Sequence, residues 1–204
     1  MNTINLKKGG KFINFGCYDG IEDDPIIDYI TKYKLSGFFV DANSDALTKC
    51  RNNFNSKNFN FVNTGIHTVS KPQIFYKPIN LKGLPKWYLQ TGTFDYNQVV
   101  KVCNILNIPT ESYRSELIEC ETIEEFICKR NLFNLEIINI DLEGLDSLII
   151  RQFPFHLVKP KVIIIEIVSE KGIDNSTYDF LCSNNYTSKR NRVSHWSIEF
   201  LLND

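Results

Sequence analysis

The chain has 204 residues, enough for about one domain with helices on both faces of a sheet. Its 23 basic and 24 acidic residues leave a net charge of −1, which excludes a basic nucleic-acid surface and a polybasic membrane patch. Six scattered cysteines (Cys17, Cys50, Cys103, Cys120, Cys128, Cys182) include no C-x-x-C pair, which argues against zinc. No apolar run is long enough to cross a bilayer; the strongest, 162–168, contains Glu166. With no signal peptide, the thiols are expected reduced in a cytoplasmic protein.

Residues 12–20, FINFGCYDG, read as a buried strand ending at a glycine-bounded turn. Asp24 as cap and Pro25 at the first helical position predict a helix there, with Ile26, Ile27, Ile30 and Tyr33 on one face. Its positive end would point back at Gly16 and Gly20 and suit an anionic ligand group. The same pattern also serves an ordinary strand, turn and helix without a ligand.

A second strand, 37–40, ends at Asp41; Asn43 or Ser44 then caps a helix that turns Leu47, Cys50 and Phe54 to one side. A third, 59–62, leads to Asn63, Thr64 and Gly65, and 73–76 forms a further short strand. Residues 78–116 are expected to be an irregular loop insertion with a short helix at 98–106, a lid or binding loop. Its aromatics, Trp87 among them, would either stack on a sugar face or form a small core that pins the loop.

Residues 117–120 read as a strand, and Thr122 with Glu125 as a capping box whose helix buries Ile123, Phe126 and Ile127. Residues 136–140 form the next core strand, ending at Asp141-Leu142-Glu143-Gly144, before a helix that carries Leu145, Leu148 and Ile149. The β-branched run 162–165 is a strand buried on both faces and ends at Glu166. A helix near 176–183 precedes a closing antiparallel pair, 186–189 with 196–202. Without repeat or linker, residues 1–204 are expected to be a single domain. The alternation predicts an α/β, mostly parallel sheet.

Asp19, Asp41, Asp141, Glu143 and Glu166 thus fall at the ends of successive strands, which line one crevice in this topology. Asp41, about 20 residues after the glycine turn, is placed to accept the two hydroxyls of a ribose. A dinucleotide fingerprint needs a middle glycine where this chain has Tyr18, so a phosphate-free nucleoside fits better than NAD.

FINFGCYDG, GFFVDANSDAL, FVNTGIHTVSKPQIFYK, ECETIEEFI, IINIDLEGLDSLIIRQF, PKVIIIEI and HWSIEFL resemble, in order and spacing, the FkbM-type methyltransferases. The most specific piece is 140–146, IDLEGLD, similar to that family's Ile-Asp-x-Glu-Gly-x-Glu/Asp signature. The resemblance runs from Phe12 to Leu202. It implies a Rossmann-like class I methyltransferase fold, S-adenosylmethionine as cofactor, and O-methylation of a small-molecule or glycan acceptor.

By the same resemblance Gly16, Cys17, Tyr18, Asp19 and Gly20 wrap the methionine part, and Asp41 holds the ribose with Ala42 and Asn43 beside it. Thr64 and Gly65 lie near the adenine, and Asp141 and Glu143 by the reacting methyl. Asn14, counted among the cofactor-binding residues, stands where the family has Asp, and Asp41-Ala42 where it has Glu-Pro. His67 and His195 are alternative bases. No metal is expected, although Glu166 with Asp141 and Glu143 would suit magnesium. A binding protein of the same fold without transfer activity and an NAD-dependent oxidoreductase are the competing functions.

Overall fold

The structure, a computed structural model, describes residues 5–54, 56–169, 171–188 and 196–203. The chain runs β1 (Lys11–Phe15), α1 (Ile27–Tyr33), β2 (Ser36–Asp41), α2 (Ser44–Asn53), β3 (Phe59–Asn63), β4 (Gly65–Ile66) and β5 (Gln73–Pro78). Next come α3 (Tyr96–Leu106), β6 (Tyr113–Ile118), β7 (Cys120–Glu121), α4 (Ile123–Lys129), β8 (Leu135–Ile140), α5 (Asp146–Arg151) and β9 (Val162–Glu166). Finally come β10 (Val168–Ser169), β11 (Gly172–Ile173), α6 (Asn175–Ser183), β12 (Tyr186–Thr187) and β13 (Ser197–Leu202).

Seven strands form one sheet in the order β12-β13-β9-β8-β1-β2-β3. All are parallel except β13, which is reversed against both neighbours. This is the mostly parallel α/β sheet with a closing antiparallel pair that the strand pattern predicts, and the Rossmann-like arrangement that the resemblance implies. Lys189 and His195 lie outside the described residues.

Both faces are covered because β1, β8 and β9 are apolar on both sides. On one face Phe12, Phe39, Ile137, Val162 and Ile164 pack under Ile26 and Ile30 near α1 and Leu47 and Cys50 of α2. On the other, Ile13, Phe15, Ile138, Ile140, Ile163 and Ile165 pack under α4, α5 and α6. The capping box at Thr122 and Glu125 is present. Asn43 caps α2 by accepting from Asp45 N and Ala46 N. Among the described residues, no helix is long and apolar enough to cross a membrane.

Two expectations are corrected. The helix expected from Asp24 starts at Ile27 instead, because the Asp24 carboxylate is committed to a turn. Its Oδ1 accepts from Ile26 N at 3.2 Å and its Oδ2 from Asn14 Nδ2 at 2.5 Å, and Asp23 is left-handed at φ 56°. On α5, Leu148 faces solvent while Ile149 and Ile150 are buried.

The second is that the stretch 78–116 is largely regular. It holds a 3-10 turn (Lys86–Gln90), α3, and the first four residues of β6, which pairs antiparallel with β5. Tyr88, Val99, Val102, Cys103 and Tyr113 form a small separate core there, and Tyr88 Oη donates to Ser112 O at 2.6 Å. The two roles proposed for the aromatics divide: Tyr88 and Tyr113 pin the segment, while Trp87 stays 40% exposed.

Candidate functional site

Because β1, β2, β8 and β9 are parallel, their carboxyl ends open on one side. A cavity of about 930 Å³ lies there, lined by Gly16–Tyr18, Asp24, Asp41–Asn43, Thr64, Asp141–Glu143 and Glu166. The segment 86–105 supplies its far wall, with Trp87, Thr91, Phe94, Gln98 and Lys101.

The floor is a polar chain within an apolar sheet. Asn14 and Asn139 are register partners on β1 and β8. Asn139 Nδ2 donates to Asn14 Oδ1 at 2.9 Å, and Asn14 Nδ2 donates onward to Asp24. Asn14 itself is fully buried and does not line the cavity; it holds Asp24, which does. Asn139 Oδ1 is the buried side-chain polar atom, among the described residues, left without a partner.

Asp41 ties the two neighbouring loops together. Its Oδ2 accepts from Tyr18 N at 2.8 Å and its Oδ1 from Asn43 N at 2.7 Å. Tyr18 is left-handed, at φ 44°. Glu143 is left-handed too, at φ 50°, on the facing turn. Residues held in this region mark loops that the surrounding structure over-determines. Asp146 fixes that second turn by accepting from Leu142 N at 2.7 Å and Gly144 N at 3.1 Å. From α3, Gln98 Nε2 donates to Glu143 Oε2 at 3.2 Å, and Thr93 Oγ1 donates to Glu143 O at 2.8 Å.

Other expected residues fall elsewhere. Asp19 Oδ1 accepts from Ile21 N and Glu22 N, so it shapes the turn from outside the cavity. Gly20 sits under Phe54 and Cys50, and Gly65 against Cys120 and Phe94; neither lines the cavity. His67 packs its ring on Phe94 and stays outside as well, its pKa lowered by burial and then by Lys71. Cys17 lines the cavity, with burial raising its thiol pKa. Sequence reasoning missed Glu22, Asp23, Asp24 and Asp28 as cavity residues, and also Gln98, Lys101 and Asn139. An asparagine inside the apolar run EIINI was the legible signal for the last.

The carboxylates here are held above their ordinary range. Withdrawal from water raises Asp24 to about 6, against the Asn14 and Ile26 hydrogen bonds. It raises Asp41 to about 6, against the Asn43 and Tyr18 N–H groups and the Lys77 charge. Glu143 is pushed to about 7 by the same cause, opposed by Gln98. Asp141 and Glu166, hydrogen-bonded to each other, are both pushed well up, first by burial and then by neighbouring acids.

A carboxyl pKa of about 6 when folded, against 3.8 ordinarily, means that the folded state binds the proton more tightly. That contribution is fully present below pH ~4 and is lost as pH rises through about 6. It is on the order of 2–3 kcal/mol for each of Asp24 and Asp41. The ligand-free protein is therefore expected to melt at a lower temperature at pH 7.5 than at pH 5.5. Scanning calorimetry at the two values checks this, and a midpoint that rises with pH would refute it.

No family model matches the chain, and no curated protein does. Solved structures similar to it include TrmK of M. capricolum in complex with S-adenosylhomocysteine, at 13% identity and a TM-score of 0.43. That match covers 98% of this chain and 65% of the other, so the chain spans under two thirds of that protein's length. Another is a SAM-dependent methyltransferase from Aquifex aeolicus, at 11% identity and a TM-score of 0.39, covering 97% of this chain and 83% of the other.

Proposed function

We propose that the protein is an S-adenosylmethionine-dependent methyltransferase whose acceptor is a hydroxyl of a sugar, glycan or related metabolite. One observation carries the reading. Where a dinucleotide fold sets a helix N-terminus toward a pyrophosphate, this cavity is lined by Glu22, Asp23, Asp24 and Asp28. Such a wall repels phosphate and attracts a cation, and the adenosyl cofactor carries an ammonium and a sulfonium. Asp41, on the β2 side, supplies the acceptor for a ribose diol.

Asp24 supports the reading in a second way. The resemblance puts a carboxylate at position 14, where this chain has Asn14. Asn14 donates to Asp24, so the charge is present one residue further along the same polar chain.

The cofactor, when bound, supplies a methyl group activated by a positive sulfur. A hydroxyl that accepted this methyl would have to give up its proton. We assign that proton to Glu143, whose carboxylate accepts from Gln98 on α3. Asp24 faces the ammonium, and Asp41 holds the ribose. The rest is alignment, to which the 86–105 wall contributes by excluding water. Trp87 and Trp196, each 40% exposed at the cavity, offer flat apolar faces suited to a sugar ring.

Calorimetric titration with S-adenosylmethionine and S-adenosylhomocysteine, with NADH as control, tests this. Micromolar binding of an adenosyl ligand, about −8 kcal/mol, without NADH binding is the expected result. Binding of neither adenosyl ligand would overturn it.

A further inference from the structure

Two features of the cavity wall have no part in the steps above. The first is a carboxylate trio. One oxygen from each of Asp141, Asp146 and Glu166 lies within 4.8 Å of the other two. That span is twice an oxygen–cation distance of about 2.4 Å. The three come from different elements: the end of β8, the first turn of α5 and the end of β9. Among the described residues, no ion pair neutralises any of them. The basic side chain at the cavity, Lys101, stands on α3 near Glu143.

The second feature is independent of the acids. Asn139 is 3% exposed, and its amide nitrogen is spent on Asn14. Its carbonyl oxygen has no partner among the described residues, yet Asn139 lines the cavity. Asn139 precedes Asp141 by two residues, so both side chains leave the same face of the sheet. Its register partner on β9 is Ile164, two residues before Glu166. Asn139 therefore stands on the strand that leads to Asp141 and beside the strand that ends at Glu166. A buried oxygen without a donor is satisfied by a cation as well as by an N–H group.

We propose that Asp141, Asp146, Glu166 and the Asn139 carbonyl oxygen bind one hard divalent cation of the magnesium, manganese or calcium class. The donors are all oxygen, which selects against zinc and copper. Asp141, Asn139 and Glu166 also line the cavity, so the open side of the cation faces the space assigned to the acceptor. The binding stands apart from the methyl-transfer reading; a use in positioning the acceptor hydroxyl rests on it.

The test titrates Mn²⁺ into metal-free protein and follows loss of the free-ion signal by electron paramagnetic resonance. One ion per chain is expected for the wild type. Glu166→Gln, nearly isosteric, is expected to weaken binding at least about tenfold. Asn139→Ala, with folding checked by circular dichroism, is expected to weaken it as well. A signal equal to that of buffer, or equal binding by wild type and both variants, would overturn the proposal. S-adenosylhomocysteine titrated into the same sample in chelator separates the two ideas. Nucleoside binding without Mn²⁺ binding removes only the cation, and the reverse result removes only the cofactor assignment.

Discussion

Asp41→Ala is expected to bind S-adenosylhomocysteine at least about a hundredfold more weakly than the wild type. A carboxylate that accepts two hydroxyl hydrogen bonds contributes about 1.5–3 kcal/mol through each, and alanine removes both. The substitution also frees Tyr18 N and Asn43 N, whose bonds to this carboxylate fix the two loops at 2.8 and 2.7 Å. The affinity loss thus has a direct part and a part from loosened loops. Asp41→Asn separates them: it keeps one oxygen for the backbone, loses the charge, and is expected to cost about tenfold. Calorimetry on both variants measures the pair. Wild-type affinity in Asp41→Ala would overturn the ribose assignment.

Gly16→Ala is expected to lose about 4 kcal/mol or more of stability, enough to unfold a marginal domain. A Cβ built at Gly16 would sit 1.6 Å from the backbone oxygen of Asp141, and the residue has φ 72°. Neither partner can yield without separating β1 from β8, since Asp141 N also donates to Phe15 O at 3.2 Å. Gly83 supplies the comparison, with φ 87° and nothing within 4 Å of an added Cβ. Gly83→Ala carries only the left-handed penalty, about 1–2 kcal/mol. Urea unfolding of both variants gives the difference, and equal losses would show that the Asp141 contact is not limiting. The glycine at the end of β1 is therefore required by strand packing before any ligand arrives.

That bears on how far the sequence could be read. The strands were legible because Phe12, Phe39, Ile138 and Ile163 lie in short apolar runs that only a twice-buried strand explains. Asn43 and the Thr122–Glu125 box were legible because caps are local chemistry. The start of α1 was misread because Asp24 and Pro25 carry a helix-start signal. The hydrogen bond from Asn14, ten residues away, redirects Asp24 into a turn. Residues 78–116 looked irregular because their small core forms between Tyr88 and Tyr113, which are distant in sequence. In the cavity, strand ends announced Asp41, Asp141, Glu143 and Glu166. The acids of 22–28 could not be placed without the loop's path; Asn139 stood out within EIINI, but its pairing with Asn14 needed the register.

β13 has a consequence for solubility. It sits inside the sheet, between β9 and β12, and covers one whole side of β9. β9 reads VIIIE, and Val162, Ile163, Ile164 and Ile165 are fully buried. Were β13 absent or late in docking, β9 would be a bare, flat, apolar edge, the kind of template on which chains pair with one another. The reversed strand is thus also a guard against self-association. Its docking joins residues 162–166 to residues 197–201, and until it docks the chain is at its most prone to aggregate.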